Sequence, residues 1–146
     1  MGPMRFVLLA CSAIALLFCS EGFGEDGGPL LRNISPGKAF ALIRENAGNG
    51  NFVILDVRTP GEFAAEHLEG AVLIDYRSPA FRDEVARLDR GKEYLVYCRT
   101  ANRSALAAGI MENLGFRKIH HLAGGIVRWS EEGLPVVRTD SVQGKQ

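Results

Sequence analysis

Cysteine is scarce in this sequence: three residues in 146, at positions 11, 19 and 98. Two fall in the first twenty-four residues, so Cys98 stands alone in the remainder, without a disulfide framework or a cysteine-based zinc pattern. Charge of one sign is also lacking. Seventeen Lys and Arg balance seventeen Asp and Glu, which excludes the basic field that nucleic acid or an anionic membrane selects. Long hydrophobic runs are missing too: Phe6 to Phe18 is the longest small and apolar stretch, and a membrane helix needs about 20 residues. Glycine-rich phosphate loops, Ser-His-Asp arrangements and internal repeats are likewise absent. What is present in quantity is apolar side chain, 47% of residues, enough for one ordinary domain without metal or disulfide support.

The N-terminus has the pattern of a secretory signal peptide over residues 1–24. Arg5 supplies positive charge, Phe6 to Phe18 the apolar core, and Ser20 to Gly24 the small residues a signal peptidase accepts, with cleavage after Gly22 or Gly24. Bulky Phe18 before Cys19 argues against a lipidated cysteine. An exported protein is expected, periplasmic if bacterial and otherwise secreted, without stable membrane association. Glu25 to Leu31 is a glycine-rich, polar lead-in.

Alternating helical and strand signals follow. Ser35 caps a helix expected over Pro36 to Asn46, and Phe52 to Leu55 is a continuous apolar run of the kind buried on both faces of a parallel sheet. Thr59 and Glu62 form a capping box around Pro60, so a short helix begins directly after Arg58. Asp56 and Arg58 therefore sit at the carboxyl edge of a strand, where open α/β sheets bind ligands; Asp56 there can fix an arginine-bearing loop by charge-assisted hydrogen bonds. Val72 to Ile74 is a short strand, Ser78-Pro79 starts a helix through Leu88, and Lys118 to Leu122 is the last strand. His67, near a helix end, has the placement of a structural histidine. His120 and His121 are adjacent on a strand, so they point to opposite faces and do not share a metal. Trp129 belongs to the core, and residues 138–146 form a polar tail.

The most chemically loaded stretch runs from Glu93 through Ser104 and on to Gly115. An apolar strand ends on Cys98, a short loop carries Arg99 and Arg103, and an alanine-rich helix follows. Backbone N–H groups, the positive end of the helix and two permanent charges make such a loop an anion site, and these surroundings favour a thiolate.

Cys98-Arg99-Thr100-Ala101-Asn102-Arg103-Ser104 resembles the active-site loop of rhodanese-type sulfurtransferases, Cys-Arg-(Ser/Thr)-Gly-x-Arg-Ser. Asp56 to Ala71 is similar to the first signature of that family and Gly124 to Pro135 to the second. Ala101 departs from the pattern at its glycine. Four residues separate Cys98 from Arg103, whereas protein tyrosine phosphatases and rhodanese-fold cell-cycle phosphatases have five. The resemblance implies a three-layer α/β/α fold with a mainly parallel sheet over residues 34–137. It further implies a thiosulfate sulfurtransferase in which Cys98 forms a persulfide and passes the sulfur to cyanide or a thiol. In its terms Arg99, Thr100, Ala101, Asn102, Arg103 and Ser104 bind the substrate, Asp56 and Arg58 support the loop, and neither metal nor organic cofactor takes part. A monomer or weak dimer is expected. A persulfide carrier with negligible turnover is the alternative, ahead of a phosphatase or arsenate reductase.

Overall fold

The computed structural model describes residues 31–139; the expected signal peptide and most of the polar tail lie outside the described residues. Among the described residues five strands form one sheet: β1 (Leu31–Ile34), β2 (Phe52–Asp56), β3 (Val72–Leu73), β4 (Glu93–Tyr97) and β5 (Ile119–Leu122). Their order is β1-β5-β4-β2-β3 and every pairing is parallel. Five helices connect and cover them: α1 (Pro36–Glu45), α2 (Pro60–Ala65), α3 (Phe81–Ala86), α4 (Asn102–Asn113) and α5 (Gly125–Glu131). This is the expected α/β class with a parallel central sheet.

Strand alternation divides the core into two layers. Tyr94, Val96 and Cys98, with Leu55 and Ile119, face α3 and α4 and pack on Phe81, Val85, Ala107, Ala108 and Met111. Leu95 and Tyr97, with Ile54 and Leu122, face α1 and α5 and pack on Ala39, Ile126 and Trp129. Ser104, Ala107 and Ala108 are the buried small residues of α4, and their size lets that helix lie close to the sheet.

Local signals set most element boundaries. Ser35 caps α1 with Pro36 at its start, and the Thr59–Glu62 capping box opens α2 with both reciprocal bonds made. Two expectations require correction. Leu31, assigned to the lead-in, begins an edge strand that extends to Ile34 and pairs with β5; Arg32 and Asn33 are exposed, so the strand carries no apolar period. The helix expected from Ser78-Pro79 begins only at Phe81. Ser78 instead closes a turn, its Oγ accepting from Ala80 N–H at 3.2 Å and its carbonyl from Phe81 N–H at 3.0 Å.

Topology positions the chemistry. The chain leaves β2 towards β3, returns through α3 to the other side of β2, and there forms β4, so the carboxyl ends of β2 and β4 lie side by side with Asp56 opposite Tyr97. Cys98 follows at once.

Candidate active site

Cys98 is a free cysteine, 1% exposed. It opens a loop that closes into α4 at Asn102, with Ala101 as the capping residue. Ala101 is the one non-glycine with positive φ among the described residues, at φ 82° and ψ −12°. Ala101, at the place where the resembling loop has glycine, is thus held in the left-handed region. Ala101 O accepts from Ala105 N–H at 3.0 Å, with Ser104 Oγ and His121 Nε2 each 3.1 Å from the same oxygen.

The rear of the loop is tied to α5. Cys98 O and Arg99 O accept from Ile126 and Val127 N–H at 2.9 and 3.1 Å. A β-carbon at Gly125 would overlap both carbonyl groups, and its φ is 62°, so the close approach requires glycine. In a trans peptide C=O and N–H point oppositely. With these two carbonyls turned towards α5, the N–H groups of Arg99 and Thr100 face away from it.

The two loop arginines have different fates. Arg103 forks onto Glu62, Nη1 to Oε2 and Nη2 to Oε1 each at 2.8 Å, while Arg99 is exposed and has no ion pair among the described residues. The Arg103 hydrogen bonds hold the Glu62 carboxyl far below the usual carboxylate range, with Thr59 adding to the effect and partial burial opposing it. The same bonds raise Arg103. Thr100 and Asn102 are exposed on the loop and Ser104 is buried beneath it, its Oγ 3.2 Å from Cys98 Sγ.

Asp56 and Arg58, expected to support the loop, pair with each other. Asp56, fully buried, accepts from the Arg58 backbone N–H at 2.9 Å and from its Nε and Nη2 at 2.7 to 3.1 Å. Arg58 Nη2 also donates to Glu66 O at 2.6 Å. Burial opposes the charge on Arg58, but the bonds and charge of Asp56, aided by Tyr97, outweigh it and raise its pKa. The pair thus fixes the chain between β2 and α2. The loop itself is anchored by Glu62, whose capping role was evident in the sequence while its partner forty-one positions away was not.

Further residues at the site had no local signal. His121 Nε2 lies 2.8 Å from Ser104 Oγ and its Nδ1 2.7 Å from Asn33 Oδ1. His120, as expected, is on the opposite face, paired with Glu93. Beyond α5 the chain hooks back onto α2: His67 and Val137 exchange N–H···O bonds of 2.8 Å, and Thr139 N–H donates to Ala64 O at 3.1 Å. His67 stacks on Phe63 and lies with Nδ1 2.8 Å from its carbonyl, a structural placement. The hook brings Arg138, from the segment assigned to the tail, to a cleft of about 460 Å³ beside Arg58, Glu62, Glu66, Arg99 and Ile126. Among the described residues, no cluster of three His, Cys, Asp or Glu could hold a metal, and no helix is long and apolar enough to cross a membrane.

The rhodanese-like domain family matches residues 40–132. The chain is 35% identical to thiosulfate sulfurtransferase GlpE of Pseudomonas entomophila, over 67% of this chain and 84% of that one. It is 37% identical to an uncharacterised Synechocystis protein over 60% of this chain, and spans about half (48%) of that relative's length. A rhodanese-related protein of Thermoplasma volcanium superposes with a TM-score of 0.60 at 35% identity, covering 73% of this chain and 97% of that one. With three signatures in order, a parallel sheet bearing a cysteine loop at its carboxyl edge, and these matches, the chain belongs to the rhodanese-like domain family.

Proposed function

We propose that the protein is a sulfurtransferase that takes a sulfane sulfur from thiosulfate, or a donor of similar chemistry, as a Cys98 persulfide and hands it to cyanide or a thiol. The observation that carries this reading is the free Cys98 at a helix entrance, with Ser104 Oγ on its sulfur and Arg99 exposed beside it. The Cys98 thiolate attacks the outer sulfur of thiosulfate; the bond between the two donor sulfurs breaks and its electron pair leaves with sulfite. Cyanide carbon then attacks the outer sulfur of the persulfide, thiocyanate leaves, and the thiolate is restored. Arg99 attracts the anion, Arg103 shapes the loop through Glu62, and the N–H groups of the loop stabilise the developing charge. The similarity to the thiosulfate sulfurtransferase of Pseudomonas entomophila supports thiosulfate as donor. We place the protein outside the cytoplasm, with residues 1–24 removed, on the N-terminal pattern alone, and as a monomer or weak dimer; intact mass of the exported protein and its sedimentation test both.

A second reading is a persulfide carrier. Cys98 is nearly inaccessible at 1% exposure, which suits a protected persulfide as well as a turning-over one. Intact mass decides the primary assignment: thiosulfate should add one sulfur, cyanide should remove it, and Cys98→Ser should do neither. Labelling that persists in the variant would refute Cys98 as the acceptor, and stable labelling without thiosulfate:cyanide turnover would establish the carrier.

A further inference from the structure

The parallel register brings a second titratable group to the thiol. His121 in β5 has Asn33 of β1 and Val96 of β4 as its strand partners, and it is 6% exposed. Its Nδ1 faces Asn33 Oδ1 at 2.7 Å, its Nε2 faces Ser104 Oγ at 2.8 Å, and Ser104 Oγ stands 3.2 Å from Cys98 Sγ. We propose that His121 receives the proton of Cys98 through the Ser104 hydroxyl, leaving a thiolate balanced by a buried imidazolium. The thiol gives its proton to Ser104 Oγ as the hydroxyl proton passes to Nε2. One S–H and one O–H bond break, one O–H and one N–H bond form, and no electrons change hands. This inference rests on the reading of Cys98 as the reacting thiol.

Both protonation states of the pair are fully hydrogen-bonded. With the ring neutral and protonated on Nδ1, Nδ1–H donates to Asn33 Oδ1, Nε2 accepts from Ser104, and the thiol donates to Ser104 Oγ. With the ring charged, Nε2–H donates to Ala101 O at 3.1 Å and towards Ser104, whose own proton turns to the sulfur anion. The two states differ only in where the protons of this short chain sit. Burial pushes the ring below its ordinary pKa, against the pull of Ala101 O, and a thiolate formed beside it would favour the charged ring. Among the described residues no other titratable group adjoins the His121 ring to compete for that proton. β1 presents neutral Asn33, β4 presents Val96, α4 presents Ser104, and Arg103 is already paired with Glu62. His121 acts through Ser104 and is therefore a positioning residue, reaching the sulfur only by way of the hydroxyl.

The test is the pH profile of Cys98 alkylation by iodoacetamide, followed by intact mass from about pH 5 to 9, in the wild type, His121→Asn and Ser104→Ala. Losing a counter-charge at this range should move the midpoint of reactivity up by about one pH unit in both variants, with thermal midpoints recorded to verify folding. In the wild type, ring ¹⁵N shifts of His121 near pH 7 should report imidazolium beside the free thiolate and neutral imidazole after alkylation. Unshifted profiles in folded variants, or a ring neutral in both forms, would overturn the proposal. Should His121→Asn not fold, Ser104→Ala and the wild-type ring spectra still decide. Alkylation reads thiolate and not sulfur transfer, so an unshifted profile with normal persulfide formation removes the relay alone, whereas normal alkylation with no sulfur uptake removes the sulfurtransferase reading alone.

Discussion

At Ala101 a β-carbon occupies a left-handed conformation, φ 82°, which for an L-residue costs about 1–2 kcal/mol. The loop retains its form because Ala105 N–H donates to the Ala101 carbonyl while Ile126 and Val127 N–H hold the carbonyls of Cys98 and Arg99. Ala101→Gly should therefore raise stability by about 1 kcal/mol, read as a higher urea midpoint, while turnover changes less than tenfold. A larger gain in turnover would show that alanine has displaced a donor from the sulfur. The sequence flagged the substitution, but the sign of φ depends on how the loop closes against β5. His121 is the complementary case. Its neighbour His120 is of the same type, and only strand register decides that one ring meets Ser104 and the other Glu93.

Among the elements, α2 links two chemistries: Glu62 closes its capping box and, through Arg103, holds the loop that starts α4. Because Glu62 is depressed by that partner, its stabilisation is complete above the unfolded carboxyl value, about pH 4.3, and is lost as pH falls towards the folded value in strong acid. Glu62→Gln should lower stability by about 1 kcal/mol near neutrality. Its stability should also fall less steeply than the wild type's between about pH 5 and 3; parallel curves in urea titrations would contradict the assignment. The approach of α5 is less forgiving. Gly125→Ala, which drives a β-carbon into the Cys98 and Arg99 carbonyls, should abolish sulfur uptake by Cys98, measured by mass, at the cost of several kcal/mol of stability if the chain folds at all. Elements opened by a cap, α1 and α2, or built on a continuous apolar run, β2 and β4, were legible in the sequence. β1 was not, since an edge strand of four residues with Arg32 and Asn33 exposed is defined by its partner β5 and not by its own pattern.

Across the whole molecule, one sheet separates two apolar layers that share every central strand, so neither layer has a folded partner if the other melts. Trp129, the only tryptophan of the sequence, is 2% exposed in the layer under α1 and α5 and donates from Nε1 to Pro135 O at 2.9 Å. Its fluorescence and the far-UV circular dichroism of the helices should give one coincident unfolding transition; separated midpoints would mean that the layers unfold independently. The hook of Val137 and Thr139 onto α2 has a further consequence, felt well outside the protein. Arg58 is neutralised by Asp56 and Glu62 by Arg103, which leaves Arg99 and Arg138 against Glu66 among the residues lining the cleft. That surplus steers a diffusing anion over a distance set by the surrounding ions, about 10 Å at 0.1 M and 3 Å at 1 M. Capture of an anionic donor should accordingly slow as salt is added while the bound reaction proceeds unchanged: kcat/KM for thiosulfate declines, kcat holds, and Arg138→Gln flattens the salt dependence.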